Sequence, residues 1–291
     1  MNKNTTLDTL GLWNMGDPMF HTLLSPVEGK RIIRHFFRHG VTIFDTAYSY
    51  GNADTLLASA MKELQIERTS YSIWTKVMPL PTLRKKTEAS LRRLNTDYVD
   101  ILMLHWPSDE GSVYTSLKTL EALMAEGKTR EIGVSNFPLP LLEKVKGDFP
   151  VLYHERPLSP VWTTDYRKEQ ELGIKTIAYG PSGFGMIGQN TLPEDRRKDL
   201  HFLKTEAYSE LQGVIHALSE KYGTSSYAVS YAFVRSLSPF AIVRGASQTE
   251  QFQIPFLDLE EDELKTLEDL SSQISATYPR DNIFSHNYLC L

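Results

Sequence analysis

The sequence predicts an α/β fold, a (β/α)8 barrel of the TIM type, with a long loop after strand seven and an extra C-terminal helix. Short runs rich in β-branched and aromatic residues alternate with amphipathic segments of helical period, the pattern of a parallel sheet wrapped by helices. The chain has 291 residues, 41% of them hydrophobic, which fits one barrel domain over residues 1–291.

Each strand of the predicted barrel is a short apolar or β-branched run. The predicted strands cover residues 10–14, 42–45, 72–76, 101–105, 131–135, 151–155, 175–179 and 240–244. The helices predicted after them cover residues 26–39, 53–64, 82–94, 113–126, 139–146, 165–172, 205–221 and 250–254. A residue that tolerates left-handed backbone geometry follows four of these helices, as at helix C-termini: Asn95, Gly127, Gly173 and Gly223.

Two further segments lie outside the eight repeats. Residues 180–204 form a long irregular stretch after strand seven, which is typical of a lid or binding loop. A helix is predicted over residues 261–272, and the tail after it contains Tyr278, Phe284, His286 and Tyr288. This aromatic tail is either a wall of the pocket or a packed terminus.

Composition excludes several classes of partner. The net charge is -5 and no basic block stands out, so nucleic acid is not an expected partner. Cys290 is the only cysteine, which excludes an intramolecular disulfide and fits a cytoplasmic location. Neither a signal peptide nor an apolar run of about 20 residues is evident, so no membrane partner is expected.

Four residues with catalytic chemistry lie at or just beyond the ends of strands two, three and four: Asp45, Tyr50, Lys76 and His105. Barrel enzymes place their active sites at this end of the strands. A free tyrosine, with a pKa of about 10, is a weak proton donor near neutrality. A nearby lysine favours the phenolate, and a carboxylate beside that lysine keeps it charged.

His105 as a neutral imidazole can orient a carbonyl oxygen or relay a proton. Each of the four residues also has a structural interpretation, since a strand-end aspartate is often a turn residue and a tyrosine is often part of the core. Their combination at one end of a barrel favours a role in carbonyl chemistry.

Ordered motifs give the chain a family resemblance. D-T-A-Y-S-Y-G (45–51), W-T-K-V (74–77), L-H-W-P (104–107), G-V-S-N-F (133–137) and A-Y-G-P (178–181) together resemble the strand-end signatures of aldo-keto reductases. The resemblance implies a carbonyl-reducing oxidoreductase that uses NADPH, with NADH possible, and a catalytic tetrad of Asp45, Lys76 and His105 with Tyr50 as proton donor.

The resemblance also implies cofactor contacts. The candidate residues are Ser135, Asn136, His154, Tyr179, Gly180, Arg197, Arg244, Gly245, Ala246 and Gln251. Ser135 and Asn136 would hold the nicotinamide carboxamide, and Tyr179 would stack on the ring. Arg196 and Arg197 suit a pyrophosphate, although an exposed arginine pair in a loop can simply be solvated.

The chain departs from the family pattern at several positions. His154 and Glu155 stand where a glutamine usually contacts the nicotinamide, and either could replace it. Arg244 stands where proline is common, and it either meets a 2′-phosphate or forms a surface ion pair. Ile254 and Pro255 replace the residues that usually hold adenine.

The first strand and its end differ from the usual form too, and they place Trp13, Asn14 and Asp17 near the pocket. With Trp106 beside His105, Trp13 gives the substrate pocket an aromatic character.

Three functions compete. The first is a carbonyl reductase, or alcohol or sugar dehydrogenase, acting on a small molecule as a monomer or small homo-oligomer. The second is a nucleotide-sensing regulatory subunit on the same barrel, although retention of the whole tetrad disfavours it. The third is a metal-dependent barrel hydrolase, but the eight histidines show no metal-type spacing, so no metal is expected.

Overall fold

The computed structural model describes residues 6–16, 24–188, 201–254 and 256–277. Within these ranges eight parallel strands each pair with the next, and the last pairs with the first, which closes the barrel. The strands are β1 (Leu7–Gly11), β2 (Ile43–Asp45), β3 (Ser72–Val77), β4 (Val99–Leu104), β5 (Thr129–Ser135), β6 (Tyr153–Pro157), β7 (Lys175–Tyr179) and β8 (Ala241–Gly245). The predicted parallel eight-stranded barrel is confirmed.

Helices surround the barrel. In the described residues they are α1 (Pro26–Arg38), α2 (Ala53–Glu63), α3 (Leu83–Leu94), α4 (Glu110–Ala125), α5 (Leu139–Asp148), α6 (Tyr166–Glu171), α7 (Glu206–Lys221), α8 (Ser226–Ser236) and α9 (Glu261–Thr277). Asn95, Gly127, Gly173 and Gly223 all have positive φ angles, between 52° and 74°, just past helix ends. The predicted C-terminal stops of these helices are confirmed.

The first strand lies three residues earlier than predicted. β1 pairs with β8 from Leu7↔Ala241 to Gly11↔Gly245, and Trp13–Met15 forms a 3₁₀ turn instead of strand. The prediction was wrong because the apolar run Leu10, Leu12 and Trp13 continues into the turn, so composition does not mark the strand's end. This shift moves Trp13 and Asn14 beyond the strand, onto the catalytic face.

The segment between β7 and β8 contains a helix that the sequence pattern does not predict. α8 begins after Ser225, whose side chain accepts a hydrogen bond from the Ala228 backbone N–H at 3.2 Å. Most of α8 is buried, so its apolar residues show no one-sided helical period. Residues predicted as the eighth helix form only a 3₁₀ turn, Thr249–Phe252.

Side chains alternate along each strand, so the strands separate a core inside the barrel from a core between the strands and the helices. Inside the barrel pack Trp74, Ile101, Met103, Tyr153, Ile177, Ala241 and Val243. Their neighbours, such as Phe44, Leu102 and Val134, face the helices and are fully buried. Each buried large apolar side chain contributes about 1.5–3 kcal/mol relative to exposure. The interior is therefore filled below the strands' C-terminal ends, which leaves that face for a site.

Candidate active site

The strand ends bring Asp45 and Lys76 into direct contact. The Lys76 ammonium donates to Asp45 Oδ1 at 2.7 Å, to Asp45 Oδ2 at 2.6 Å and to the Thr46 carbonyl at 3.1 Å. It also lies 3.1 Å from Glu155 Oε1. Burial by itself would lower the pKa of Lys76, but the Asp45 and Glu155 carboxyls and the Tyr50 phenol raise it above its usual value. The lysine is therefore a charged group in a buried site.

Tyr50 lies above this ion pair. The Lys76 Nζ is 5.5 Å from the centre of the Tyr50 ring, and the His105 ring meets the tyrosine edge-on with centroids 5.7 Å apart. Asp45, Tyr50, Lys76 and His105 thus converge at one face as the sequence predicts. We name these four residues the catalytic cluster, after the role that the sequence predicts for them. Tyr48, the other tyrosine of the same motif, packs on Arg93 and Lys86 instead.

His105 carries no charge near neutral pH. Burial, followed by repulsion from the Lys76 ammonium, lowers its pKa to about 3. A neutral imidazole offers one N–H donor and one acceptor nitrogen. In this neutral state His105 can orient an oxygen through a hydrogen bond, but it has no acidic proton to give up.

A second buried ionic group fixes the loop that carries Tyr50. Asp54 accepts hydrogen bonds from Thr46 Oγ1 and Ser90 Oγ, both at 2.9 Å, and forms an ion pair with Arg93 at 2.9 Å. Arg93 also donates to the Tyr48 carbonyl at 3.0 Å. The sequence reasoning missed Asp54 and Arg93, although a carboxylate among apolar positions of α2 was an available signal.

Two glycines let this loop approach the turn after β1. Gly51 has a φ of 51°, and a Cβ there would lie 2.5 Å from the Gly16 carbonyl oxygen. A Cβ on Gly16 would collide with the Tyr50 carbonyl at 1.8 Å. Close backbone contact at this point holds Tyr50 beside Trp13, whose ring stacks on it at 6.1 Å between centroids.

Trp13 and Trp106, the predicted pocket aromatics, both flank the catalytic cluster and are partly exposed. The Trp106 ring centroid lies 6.4 Å from that of His105. Asn14 donates to the Ala246 carbonyl at 2.7 Å, which ties the turn after β1 to the end of β8. Two indoles therefore lie at the mouth of the site, Trp13 beside Tyr50 and Trp106 beside His105.

Asn136 connects the ends of β4, β5 and β7. It adopts a φ of 64°, its amide donates to the His105 carbonyl at 3.1 Å and to Ser135 Oγ at 3.0 Å, and the Tyr179 hydroxyl donates to its Oδ1 at 2.6 Å. Gly180 follows with a φ of 64°, where a Cβ would meet the Phe184 ring at 2.7 Å. The structure thus brings Ser135, Asn136, Tyr179 and Gly180 together beside the catalytic cluster.

The structure contradicts the assignment of His154 to the cofactor. Its Nε2 accepts from the Phe137 backbone N–H at 3.1 Å, and its Nδ1 contacts Glu169 at 2.9 Å. Arg156 contacts the same Glu169 at 2.5 Å, and all three side chains are fully buried. His154 and Arg156 therefore face α6, whereas Glu155, between them, faces the barrel interior.

Arg244 does not fit either predicted role. It is 3% exposed, forms a two-point ion pair with Asp8 at 2.7 and 2.6 Å, and donates to the Gln251 and Phe252 carbonyls at 2.7 and 3.0 Å. Four of its five N–H groups are satisfied by the protein. Arg244 thus joins β1 to the turn after β8, and it is neither a surface ion pair nor open to a 2′-phosphate.

The remaining predicted cofactor residues lie in that same turn. Gly245 is exposed and Ala246 is buried. Gln251 Oε1 accepts from the backbone N–H groups of Ser247 and Gln248 at 2.6 and 3.0 Å. We call residues 244–251 the β8 rim. Arg196, Arg197, Asp17, Pro255 and the aromatic tail lie outside the described residues.

The described residues lack the features of two other classes of protein. They contain no group of three or more His, Cys, Asp or Glu side chains placed to bind a metal ion. In the same part of the chain, none of the helices is long and apolar enough to span a membrane.

Comparison with known proteins agrees with this geometry. The sequence profile of the aldo/keto reductase family matches residues 9–269. "Uncharacterized oxidoreductase C26F1.07" of Schizosaccharomyces pombe is 25% identical over 289 residues, which cover 89% of this chain and 87% of that protein. L-galactose dehydrogenase of Arabidopsis thaliana is 34% identical over 185 residues, which cover 56% of this chain and 57% of that enzyme.

A solved structure shows the same architecture. Glycerol dehydrogenase AKR11B4 from Gluconobacter oxydans superposes with a TM-score of 0.76 at 25% identity, covering 91% of each chain. With the family profile spanning nearly the whole barrel, the chain belongs to the aldo/keto reductase family and is an oxidoreductase of carbonyl or alcohol groups.

Proposed function

We propose that this chain is an NAD(P)(H)-dependent oxidoreductase that reduces an aldehyde or ketone, or oxidises the matching alcohol or sugar, with Tyr50 as general acid and base. The observation that carries the proposal is the buried Lys76 ammonium, which is paired with Asp45 and lies 5.5 Å from the centre of the Tyr50 ring. A cation at this distance favours the phenolate over the phenol. We propose that this charge makes the Tyr50 hydroxyl an effective proton donor in the site.

The residues beside the catalytic cluster fit a nicotinamide. Tyr179 is held through its hydroxyl by Asn136, which keeps an aromatic ring at the rim for stacking on a nicotinamide. Both N–H groups of the Asn136 amide are already used, so the Ser135 O–H and the second lone pair of Asn136 Oδ1 are the donor and acceptor left for a carboxamide. When bound there, a reduced nicotinamide supplies the hydride.

The protein's own groups divide the remaining work. His105, neutral in this environment, hydrogen-bonds the substrate oxygen and orients it. The Tyr50 hydroxyl donates its proton to that oxygen as negative charge develops on it, which is general acid catalysis. Lys76 stabilises the phenolate that remains, and Asp45 keeps Lys76 charged. Trp13 and Trp106 give the substrate an apolar wall.

NADPH is the proposed cofactor and NADH the alternative. Arg244 supports neither choice, because its guanidinium already donates hydrogen bonds to Asp8 and two backbone carbonyl groups. Arg197, the other predicted phosphate contact, lies outside the described residues. Aldehyde and sugar substrates assayed with both cofactors, followed at the nicotinamide absorbance, decide between them.

We further propose a cytoplasmic protein that acts on small molecules, as a monomer or small homo-oligomer, without nucleic-acid or membrane partners. The net charge of -5 and the single cysteine support this proposal. Light scattering on the purified chain measures the oligomeric state.

Tyr50→Phe tests the proposed function, and Tyr48→Phe is its matched control on the same loop. We expect Tyr50→Phe to lower kcat for aldehyde reduction by about 10²- to 10⁴-fold. Nicotinamide-linked quenching of tryptophan fluorescence should change little. Full turnover in Tyr50→Phe would overturn the mechanism, and cofactor quenching in a wild-type chain without any turnover would favour the sensor function.

A further inference from the structure

Glu155 is a buried carboxyl group that the proposed reaction does not use. It is 3% exposed, it points into the barrel from β6, and its Oε1 lies 3.1 Å from the Lys76 ammonium. Its Oε2 is buried and meets no hydrogen-bond partner among the described residues. A buried oxygen without a partner is costly, so the protonation state of Glu155 matters for the whole catalytic cluster.

Two carboxyl groups compete for one ammonium here. Asp45 places both of its oxygens on Lys76 at 2.7 and 2.6 Å, whereas Glu155 places only one there, at 3.1 Å. Two adjacent buried carboxylates cannot both be ionised at ordinary cost, and one of them retains a proton. Since Asp45 holds the better ion pair, the retained proton belongs to Glu155.

We propose that Glu155 is a positioning residue kept as a neutral carboxylic acid, which accepts from Lys76 through Oε1 and donates its own proton to Asp45. The proton gives Oε2 a hydrogen-bonding role, as donor instead of acceptor. The three groups then carry one positive and one negative charge. This inference rests on the proposed function in one respect: a neutral Glu155 leaves the Lys76 charge opposed by a single carboxylate as it acts on Tyr50.

The electrostatics agree with this geometry. Burial, and then the negative charge of Asp45, raise the pKa of Glu155 well above its usual value, and the Lys76 ammonium offsets this only in part. The charged groups that face Glu155 from the described residues are Asp45 on β2 and Lys76 on β3. The residues paired with Glu155 on the neighbouring strands are Ser135 on β5 and Ile177 on β7, and neither has a side chain that ionises near neutral pH.

Infrared spectroscopy tests the proposal without any need for turnover. At neutral pH the wild-type chain should show the carbonyl-stretch band of a protonated, buried carboxylic acid, and Glu155→Gln should lose it. Glu131→Gln is the matched control, because Glu131 lies at the other end of the barrel, where it accepts from the Tyr153 hydroxyl. A wild-type spectrum without the band, or a band that survives in Glu155→Gln, would overturn the proposal.

The pH dependence of stability is a second test. A folded-state pKa raised above the unfolded value means that the folded chain binds the extra proton, so stability falls as pH rises above about 4.5. Glutamine has the same shape and hydrogen-bonding pattern but cannot ionise. We expect the Tm of Glu155→Gln to exceed that of wild type by a margin that widens with pH. A Glu155→Gln variant that is less stable than wild type at neutral pH would show an ionised Glu155 and contradict the proposal.

Rescue by the conservative variant separates positioning from bulk structure. Glu155→Ala should lower kcat, and Glu155→Gln should restore most of it, because glutamine can accept from Lys76 and donate to Asp45. Equal losses in both variants would contradict a neutral Glu155. The infrared and Tm readouts do not depend on catalysis, so they still report on Glu155 if Tyr50→Phe shows that the proposed function is wrong.

Discussion

The catalytic cluster and the β8 rim lie at the same end of the barrel and both contain a buried cation paired with a carboxylate. In the catalytic cluster, Lys76 faces the barrel interior, with the Tyr50 ring 5.5 Å away. In the β8 rim, Arg244 faces outward and donates its hydrogen bonds to Asp8 and two backbone carbonyl groups. The three N–H donors of Lys76 are occupied as well, so occupancy does not separate the two cations. A charged residue in a family motif indicates chemistry only where its charge faces the site, as that of Lys76 faces Tyr50.

Lys76→Met should produce the largest effect and tests the catalytic side of this comparison. Loss of the cation removes the stabilisation of the Tyr50 phenolate, so we expect kcat to fall by about 10²- to 10⁴-fold. Breaking a buried ion pair also costs about 3–5 kcal/mol of unfolding free energy. The stability loss should shrink at acid pH, where Asp45 can take up a proton.

Urea unfolding at two pH values and steady-state kinetics measure both effects. Lys175→Met is the control, because Lys175 packs over Tyr153 and Phe240, away from the catalytic face. Retained turnover in Lys76→Met, with an unchanged alkaline limb of the pH profile, would mean that another cation supports Tyr50.

The neutral state of His105 gives a pH-dependent prediction. Its pKa is lowered to about 3 by burial and by Lys76. Below pH 6.5 the unfolded chain therefore binds a proton that the folded chain excludes, and stability falls as pH decreases towards 3. The slope is at most about 1.4 kcal/mol per pH unit, reduced by the solvent contact of His105 at the mouth.

His105→Gln should flatten this acid-side loss of stability. The exposed His216→Gln serves as the control. Nitrogen-15 NMR should also show one His105 nitrogen protonated and the other not, unchanged between pH 5 and 8. An imidazole that titrates near its ordinary pKa would instead favour a proton-relay role.

Arg244→Met tests the other side of the comparison. Removing the hydrogen bonds to Asp8 and the two carbonyl groups should cost about 2 kcal/mol, since Asp8 is partly hydrated and can recover solvent contacts. The ratio of the Kd values for NADP and NAD should hardly change. If Arg244→Met weakened NADP binding tenfold or more and left NAD binding unchanged, Arg244 would contact the 2′-phosphate after all.

Gln251→Ala should have the smallest effect. Its Oε1 satisfies the Ser247 and Gln248 N–H groups, so we expect a loss of about 1 kcal/mol, measured by urea unfolding. The neighbouring exposed Gln253→Ala is the control. If Gln251 also contacts the cofactor as proposed, Gln251→Ala should raise the cofactor Kd while Gln253→Ala does not.

The barrel and the location of the catalytic cluster can be predicted from sequence alone. Asp45, Lys76 and His105 each lie at the end of a strand, and parallel strands in a closed barrel end at one face, so their meeting follows from topology. The helix ends at Asn95 and Gly127 can be predicted for a local reason, because a residue that favours left-handed backbone geometry ends a helix whatever packs around it.

The contacts of residues whose partners are distant in sequence depend on the packing of the whole barrel. Asp8 meets Arg244 across the closing pair β1 and β8, and no local pattern reports that contact. Likewise, side chains alternate along a strand, so His154 and Glu155 must face opposite sides of β6. The register of the closed barrel decides which of them points inward, towards Lys76. Local sequence determines where a side chain sits on its element, whereas packing of the elements determines which atoms it meets.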